Sequence, residues 1–327
     1  MSGTCHAAVL HQPGGPDALK WEQVEVPDPG PGEVTLRHTA VGLNFVDISQ
    51  RRGSYPAMPT LPAVLGMEAA GVVEAVGDGV TDYAVGDRVS YCMVVGGYAQ
   101  ARTMSTDRLN KLPDAIPDEV AAACTLRGLT AHYLLHDSYA VRPGDTILVH
   151  AAAGGMGLML CQWAKHLGCT VLGTVGSDEK AEIARAHGCD HPIVYTRDDF
   201  AAAVMDLTGG KGVDANYDAV GKDTFEKGIG CLAERGHIVS YGQASGPLEP
   251  LDLAVLTPKS LTITRGGLVM YTKDPVERAG RAQALWGLIA DGTLKVEINQ
   301  RYPLEEVGRA HADIEARKTT GSTVLEV

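Results

Sequence analysis

The 327-residue chain is short of several things, and each shortage narrows what it can do. Aromatic residues make up only 5% of it, which leaves few platforms on which nucleobases could stack. Positive charge is also scarce: 28 Lys and Arg stand against 40 Asp and Glu, for a net charge of −12. Gripping nucleic acid takes a concentrated basic surface, so no nucleic-acid partner is expected. The longest apolar stretch, 146–164, is broken by glycines, His150 and Gln162, which excludes a lipid span. The first six residues lack a basic segment followed by an apolar one, so no secretory signal is read there. Seven cysteines (5, 92, 124, 161, 169, 189 and 231) show no paired spacing. An odd number with apolar neighbours fits reduced, buried thiols, and a cytoplasmic location is expected. Internal repeats, low-complexity tracts and charge runs are missing as well.

What is present describes an ordinary globular protein, 45% hydrophobic and 21% charged, long enough for two domains with separate cores. Residues 1–124 read as β-rich, with runs at Ala7–Leu10, Val34–Ala40, Gly71–Val76, Arg88–Tyr91 and Tyr98–Thr103. Pro/Gly clusters at 27–32, 77–79 and 85–87 separate them, the pattern of a compact barrel. A helix is expected to begin at Pro117–Ala123, where Asp118 and Glu119 favour the positive end of the dipole.

From about Leu126 the rhythm turns to alternating helix and strand. Helix at Thr130–Tyr139, strand at Thr146–His150 and helix at Met156–His166 are followed by Thr170–Thr174, Asp178–His187, Pro192–Tyr195 and Asp198–Leu207. Val213–Tyr217, Thr224–Leu232, His237–Tyr241 and a last strand at Leu261–Thr264 continue it. Such alternation implies a parallel, doubly wound sheet. A helix at Val276–Asp291 and a mixed tail ending in Thr323–Val327 are expected to fold back onto the first domain.

The most informative stretch is His150-Ala-Ala-Ala-Gly-Gly-Met-Gly-Leu158, which follows the apolar run Thr146–Val149. Ala152, Gly154 and Gly157 form a variant of the G-x-G-x-x-G fingerprint, with Gly155 and Met156 between them. Gly154 lets backbone approach a pyrophosphate, Gly157 lets the new helix pack on its strand, and the helix N-terminus faces the phosphates. About twenty residues further on, an NAD-preferring chain places Asp or Glu to bond the ribose 2′-hydroxyl. Here the strand ends in Gly176 and Ser177, with Lys180 one turn into the next helix. That leaves room for a 2′-phosphate and supplies its countercharge, so NADPH is the expected cofactor. The competing possibility is a merely solvated Lys180, and Asp178 and Glu179 lie close by. His187-Gly-Cys-Asp-His191 looks superficially like a metal cluster, but Gly188 after a helical run signals a helix end.

The chain is similar to the medium-chain dehydrogenase/reductases, and resembles most their zinc-independent NADPH:quinone oxidoreductase branch, which includes zeta-crystallin. The residues that carry this are Asn44-Phe-Val-Asp47 with Gly53-Ser-Tyr55, Leu65–Gly71, Gly71–Gly77, Val85–Arg88, Arg127–Thr130, the 150–158 loop and Lys318–Gly321. The resemblance implies a GroES-like β-barrel catalytic domain, residues 1–124 and 265–327, and a Rossmann domain, residues 125–264. Zinc-bearing relatives carry Cys and His where this chain has Asn44 and Met67, and four close cysteines that it lacks. Carboxamide and thioether are poor zinc ligands, so no metal is expected.

By the same resemblance, Asn44 and Tyr55 line the pocket beside the nicotinamide, and Thr130 lies near the nicotinamide ring or ribose. Asp47 belongs to the same motif and is counted with them among the catalytic residues. The family's aromatic at the pocket mouth is Ser49 here. Gly176, Lys180, Tyr195 and Arg317 match positions around the adenosine 2′-phosphate and ribose. Tyr241 and Gln243 follow the fifth strand, at the carboxyl ends where a doubly wound sheet binds its ligand. Tyr55 as a packed loop residue and Tyr241 as a core residue are the competing assignments. The expected activity is hydride transfer from NADPH across a cleft to a quinone, with the edge strand Leu261–Thr264 pairing a homodimer. Reduction of α,β-unsaturated ketones, aldehydes or enoyl thioesters is the alternative. A non-catalytic NADPH- or RNA-binding role is the second.

Overall fold

The computed structural model describes residues 3–327; Met1 and Ser2, where the stretch read for a targeting signal begins, lie outside the described residues. The chain divides into two units. One takes the chain up to Gly128 with Asp274–Ala290 and Val296–Val327; the other takes Leu129–Lys273 with Asp291–Lys295. Among the described residues no helix is long and apolar enough to cross a membrane.

The first unit opens with strands β1 (Gly3–Leu10), β2 (Leu19–Val26) and β3 (Glu33–Leu43), then helix α1 (Phe45–Arg51). Strands β4 (Ala63–Val64), β5 (Glu68–Val76), β6 (Arg88–Cys92), β7 (Ala101–Ser105) and β8 (Asn110–Lys111) lead to helix α2 (Asp118–Tyr133). Strand β2 escapes the hydrophobic pattern because Lys20, Glu22 and Glu25 leave only half of a thin apolar face. Helix α2 differs more from expectation: the separate helices expected at 117–123 and 130–139 are one helix, extended by a π-turn at Leu134–Ser138. Gly128 lies inside that helix, close-packed, since a Cβ there would lie 2.3 Å from the Leu285 side chain.

The second unit holds β9 (Thr146–Val149), α3 (Gly155–His166), β10 (Thr170–Val175), α4 (Asp178–Ala186) and β11 (His191–Val194). It continues through α5 (Phe200–Leu207), β12 (Val213–Asp218), α6 (Phe225–Gly230), β13 (Leu232–Ser240), β14 (Thr262–Thr264) and the single turn α7 (Leu268–Tyr271). The six strands lie in the order β11-β10-β9-β12-β13-β14, and every pair is parallel. Right-handed crossovers require helices on the faces of such a sheet, and the alternation supplies them. Leu148, Leu172, Ile193, Val213 and Ile238 of the sheet pack with Phe200, Val204, Phe225 and Ile229 of α5 and α6. Helix α4 ends before His187, Gly188 turns the chain with φ +88°, and His191 starts β11, so the His-Gly-Cys-Asp-His stretch is a helix end.

The chain then returns to the first unit with α8 (Pro275–Ala290), β15 (Ile298–Pro303), α9 (Val307–Glu315) and β16 (Ser322–Glu326). Strand β16 pairs antiparallel with the end of β3, so the tail completes the first unit's larger sheet, β15-β16-β3-β5-β6-β8, with β7 also on β3. A smaller sheet, β2-β1-β4, joins the same core, in which Leu10, Leu36, Leu43, Tyr91 and Tyr98 pack with Leu304, Val307 and Leu325 from the tail. Bulges in β3 opposite β5 let that strand curve, as closure into a barrel requires. The result is a mixed α/β protein, a GroES-like barrel in one unit and a Rossmann-type sheet in the other.

Candidate functional site

In the second unit the glycine-rich loop leaves the carboxyl end of β9 and is tied to β10. Ala152 N–H donates to the Thr174 carbonyl at 2.9 Å, and Ala151 N–H to the Thr174 hydroxyl at 3.3 Å. Gly154 is the N-cap of α3, and no side chain caps that helix. The first-turn N–H groups of Gly155, Met156 and Gly157 are therefore open to an anion. The two fingerprint glycines serve different purposes. A Cβ on Gly157 would lie 2.3 Å from the Ala151 carbonyl and 2.7 Å from Ala152, so close packing forces that glycine. A Cβ on Gly154 would meet only the Ala151 carbonyl at 3.3 Å, so the loop itself does not require it.

At the end of β10, Gly176 and Tyr195 come together, with the Tyr195 hydroxyl 3.1 Å from where a Gly176 Cβ would be. Ser177 caps α4 by accepting from Lys180 N–H at 3.3 Å. The Lys180 side chain makes no ion pair among the described residues, whereas Asp178 is bound by Arg197 at 3.1 and 3.3 Å. The acid beside the expected phosphate position is thus partly neutralised by a residue that sequence inspection passed over. At the end of β13, Tyr241 N–H donates to the Asp218 carbonyl at 2.9 Å, and burial pushes its phenol up. The Gln243 carboxamide, oriented to satisfy its hydrogen bonds, accepts from Arg265 at 3.0 Å. Thr130 lies buried in α2.

In the first unit Asn44 is the N-cap of α1 and forms a capping box with Asp47, whose carboxylate accepts from Asn44 N–H at 2.8 Å. The Asn44 side chain donates from Nδ2 to Glu68 Oε2 at 2.7 Å, and Glu68 Oε1 accepts from Leu126 N–H at 2.6 Å. Burial pushes both carboxyls up to about 7, against the pull of their hydrogen bonds and of the Arg127 guanidinium. Arg51 donates to His311 Nδ1 at 3.2 Å, which leaves His311 Nε2–H for the Tyr98 oxygen at 2.9 Å. The Tyr98 proton is then free to face Asp47. Tyr55 is half-buried, tied to α1 by its N–H to the Ser49 carbonyl at 3.2 Å, and burial raises its phenol. Arg317 stands exposed in a left-handed turn after α9.

Asn44 and Asp47 are therefore brought together, with Tyr55 on the same helix-and-loop segment. The residue missed there is Glu68. Its signal was a single acid inside the apolar run Gly66-Met-Glu-Ala-Ala-Gly71, where a charge needs a dedicated partner.

Comparison with known proteins bears on the family and the fold. Residues 30–141 match the alcohol dehydrogenase GroES-like domain family, and residues 155–282 the zinc-binding dehydrogenase family. The chain is 49% identical to a quinone oxidoreductase of Pseudomonas aeruginosa over 95% of its own length and 96% of that protein's. It is 47% identical to a 2-haloacrylate reductase of a Burkholderia species, over 98% of each chain. It also superimposes on the quinone oxidoreductase of Escherichia coli, crystallised with NADPH, with a TM-score of 0.95, 41% identity and coverage of 99% and 100%. The chain belongs to the quinone oxidoreductases of the medium-chain dehydrogenase/reductase superfamily. Within the quinone oxidoreductase fold, the uncapped α3 N-terminus and the Ser177–Lys180 turn stand at the carboxyl ends of neighbouring parallel strands, β9 and β10. This is the edge of the sheet at which doubly wound folds take their ligands.

Proposed function

We propose that the protein is an NADPH-dependent reductase of quinones. The observation that carries this is the end of β10, where Gly176 and Ser177 replace an acid, Asp178 is occupied by Arg197, and Lys180 is left without an anion. The residues present fit the cofactor. The α3 N-terminus and Gly154–Gly157 would hold its pyrophosphate, and Ser177, Lys180, Tyr195 and Arg317 its 2′-phosphate and ribose. Ala152, Tyr241 and Gln243 would complete the nucleotide site. When bound, NADPH supplies a hydride to the acceptor.

Asn44, Tyr55 and Thr130 are assigned to the reacting end, with Asp47 fixing the Asn44 backbone. The Tyr55 phenol, raised by burial, keeps its proton at neutral pH and can donate a hydrogen bond to an acceptor carbonyl. Solvent supplies the one proton that, with the hydride, completes the two-electron reduction of the acceptor.

The zinc in the name of one matched family does not fit these residues. The carboxamide and thioether of Asn44 and Met67 are weak ligands, Asn44 Nδ2 is already donating to Glu68, and both Glu68 oxygens are accepting. Quinones and enones are electron-poor enough to take hydride without a Lewis acid; simple alcohols are not expected to react. A second reading, reduction of activated C=C bonds, is favoured by the similarity to the 2-haloacrylate reductase. We further propose a cytoplasmic homodimer paired through β14, an edge strand with one side unpaired.

Steady-state turnover of NADPH with 1,4-benzoquinone and with a 2-alkenone, on a preparation whose mass is measured at micromolar concentration, tests all of this. A faster quinone rate and a dimeric mass are expected. Preference for the alkenone would move the assignment to the second reading, and a monomeric mass would remove the dimer.

A further inference from the structure

Between α1 and β5 one carboxamide is held by two carboxyl-bearing residues, and the chemistry of that arrangement reaches the reacting end. Asn44 donates to Glu68 Oε2 from its side chain and to Asp47 Oδ2 from its backbone. Glu68 is fully buried and packs so close to β3 that a Cβ on Gly42 would be 2.7 Å from Glu68 Oε2 and 2.0 Å from the Ala122 carbonyl of α2. Its two oxygens accept from two N–H groups that can only donate, Asn44 Nδ2 and Leu126 N. A proton on Oε1 would oppose the Leu126 N–H. A proton on Oε2 would oppose the Asn44 amide unless the carboxamide turned over, which would set its NH2 against the Asp47 N–H that it caps.

We infer that Glu68 is a positioning residue whose ionised form locks the Asn44 carboxamide in one orientation and whose protonated form releases it. The inference rests on the proposed placement of Asn44 beside the acceptor. Hydrogen bonds from Asn44 and Leu126 and the Arg127 charge favour the ionised form; burial and the neighbouring Asp47 oppose it. The other groups facing Glu68 are Cys92 of β6 and Cys124 of α2, both neutral thiols pushed up by burial. Asp47 in turn faces the Tyr98 hydroxyl, the Met67 N–H and Arg127. The opposing influences leave Glu68 titrating near neutrality, at about 7, so the lock operates in the working range.

The test is the pH dependence of kcat and KM for 1,4-benzoquinone reduction by the full chain, with Glu68→Gln, Glu68→Asp, Asn44→Ala and the Asn44→Ala/Glu68→Gln double variant. Wild-type kcat should rise as pH passes through about 7. Glu68→Gln should abolish that rise and lower kcat about 10- to 100-fold, the effect of one hydrogen bond to a charged group, with NADPH binding changed less than about twofold. Glu68→Asp should restore the rise, and Glu68→Gln should cost nothing more once Asn44 is alanine. Asp47 titrates in the same range, and the comparison with Glu68→Gln isolates Glu68. A rise that survives in Glu68→Gln, or losses that multiply in the double variant, would overturn the inference.

Infrared difference spectra against Glu68→Gln read the protonated carboxyl without turnover. Asn44→Ala, which removes a donor to the charged form, should move that titration to higher pH. An unmoved titration overturns the coupling even if quinones are reduced. A moved one supports it even if no quinone is, in which case only the functional assignment fails. Should Glu68→Gln not fold, the pH profile of Glu68→Asp decides the matter, together with infrared difference spectra taken between acid and alkaline pH for the wild type, Glu68→Asp and Asn44→Ala. In those spectra the band that Glu68→Asp shifts is the one that Asn44→Ala should move to higher pH.

Discussion

Around Lys180 the decisive interactions are small and local. Asp178 and Glu179 precede it, and two acids one turn from a phosphate would repel it. Arg197 holds Asp178 at 3.1 Å, and Ser177 draws the Glu179 carboxyl below its usual range. Glu179 therefore stays ionised, and it is Arg197 on Asp178, together with the Lys180 ammonium, that offsets the two acids at the start of α4. Lys180→Ala should weaken NADPH binding by about 1.5–3 kcal/mol, the scale of a hydrogen bond to a charged group. NADH, which lacks the phosphate, should bind almost as before. Fluorescence titration with the two cofactors checks this, and equal losses would show that Lys180 only faces solvent.

At the scale of the strand–loop–helix unit, the structure separates two glycines that share one motif. Gly157→Ala sets a methyl against backbone that cannot withdraw, so it should lower stability by about 1–3 kcal/mol or more, seen as a fall in Tm. Gly154 has φ −79° and a Cβ there would press only on the Ala151 carbonyl at 3.3 Å, so Gly154→Ala should lower Tm far less than Gly157→Ala does while NADPH affinity drops at least tenfold. A variant that melts normally and still binds NADPH would mean that the loop does not hold the pyrophosphate. The same packing logic explains Gly173 in β10, where a Cβ would come within 2.6 Å of Ala152 and 2.7 Å of the Cys189 sulphur. No spacing rule flags that glycine; its partner lies on the neighbouring strand's loop.

For the whole molecule, buried titratable groups set how stability follows pH. Burial lowers His38 to about 4 and His311 to about 3, and lowers His150 as well. Below about 6.5 the unfolded chain binds protons that these neutral histidines refuse, so acidification is destabilising. Asp47 and Glu68 act with the opposite sign: folded, they keep protons that the unfolded chain has already released above about 4. Their contribution is full below that point and is lost as pH rises to about 7. Glu68→Gln removes one such group, so its Tm relative to wild type should be higher at pH 8 than at pH 5. The difference corresponds to a few kcal/mol at most. An identical difference at both pH values would mean that Glu68 titrates normally.

The parts of this protein that were legible in its sequence rest on interactions between near neighbours. Strand and helix periods, the fingerprint spacing, the missing acid after β10 and the helix end at Gly188 need only a few consecutive residues to state. They sufficed for the doubly wound parallel sheet, the barrel and NADPH, whereas the family rested on the resemblance of whole motifs. That the helices expected at 117–123 and 130–139 are one emerged only in the fold, and whether Asp178 repels a phosphate depended on Arg197. The state of Glu68 depended on Asn44, Leu126 and Arg127, and that of Asp47 on Tyr98, which answers to His311 at the far end of the chain. Chain order says which residues exist and what local geometry they prefer. Desolvation and charge coupling are sums over everything packed nearby, and only the folded chain decides who those neighbours are.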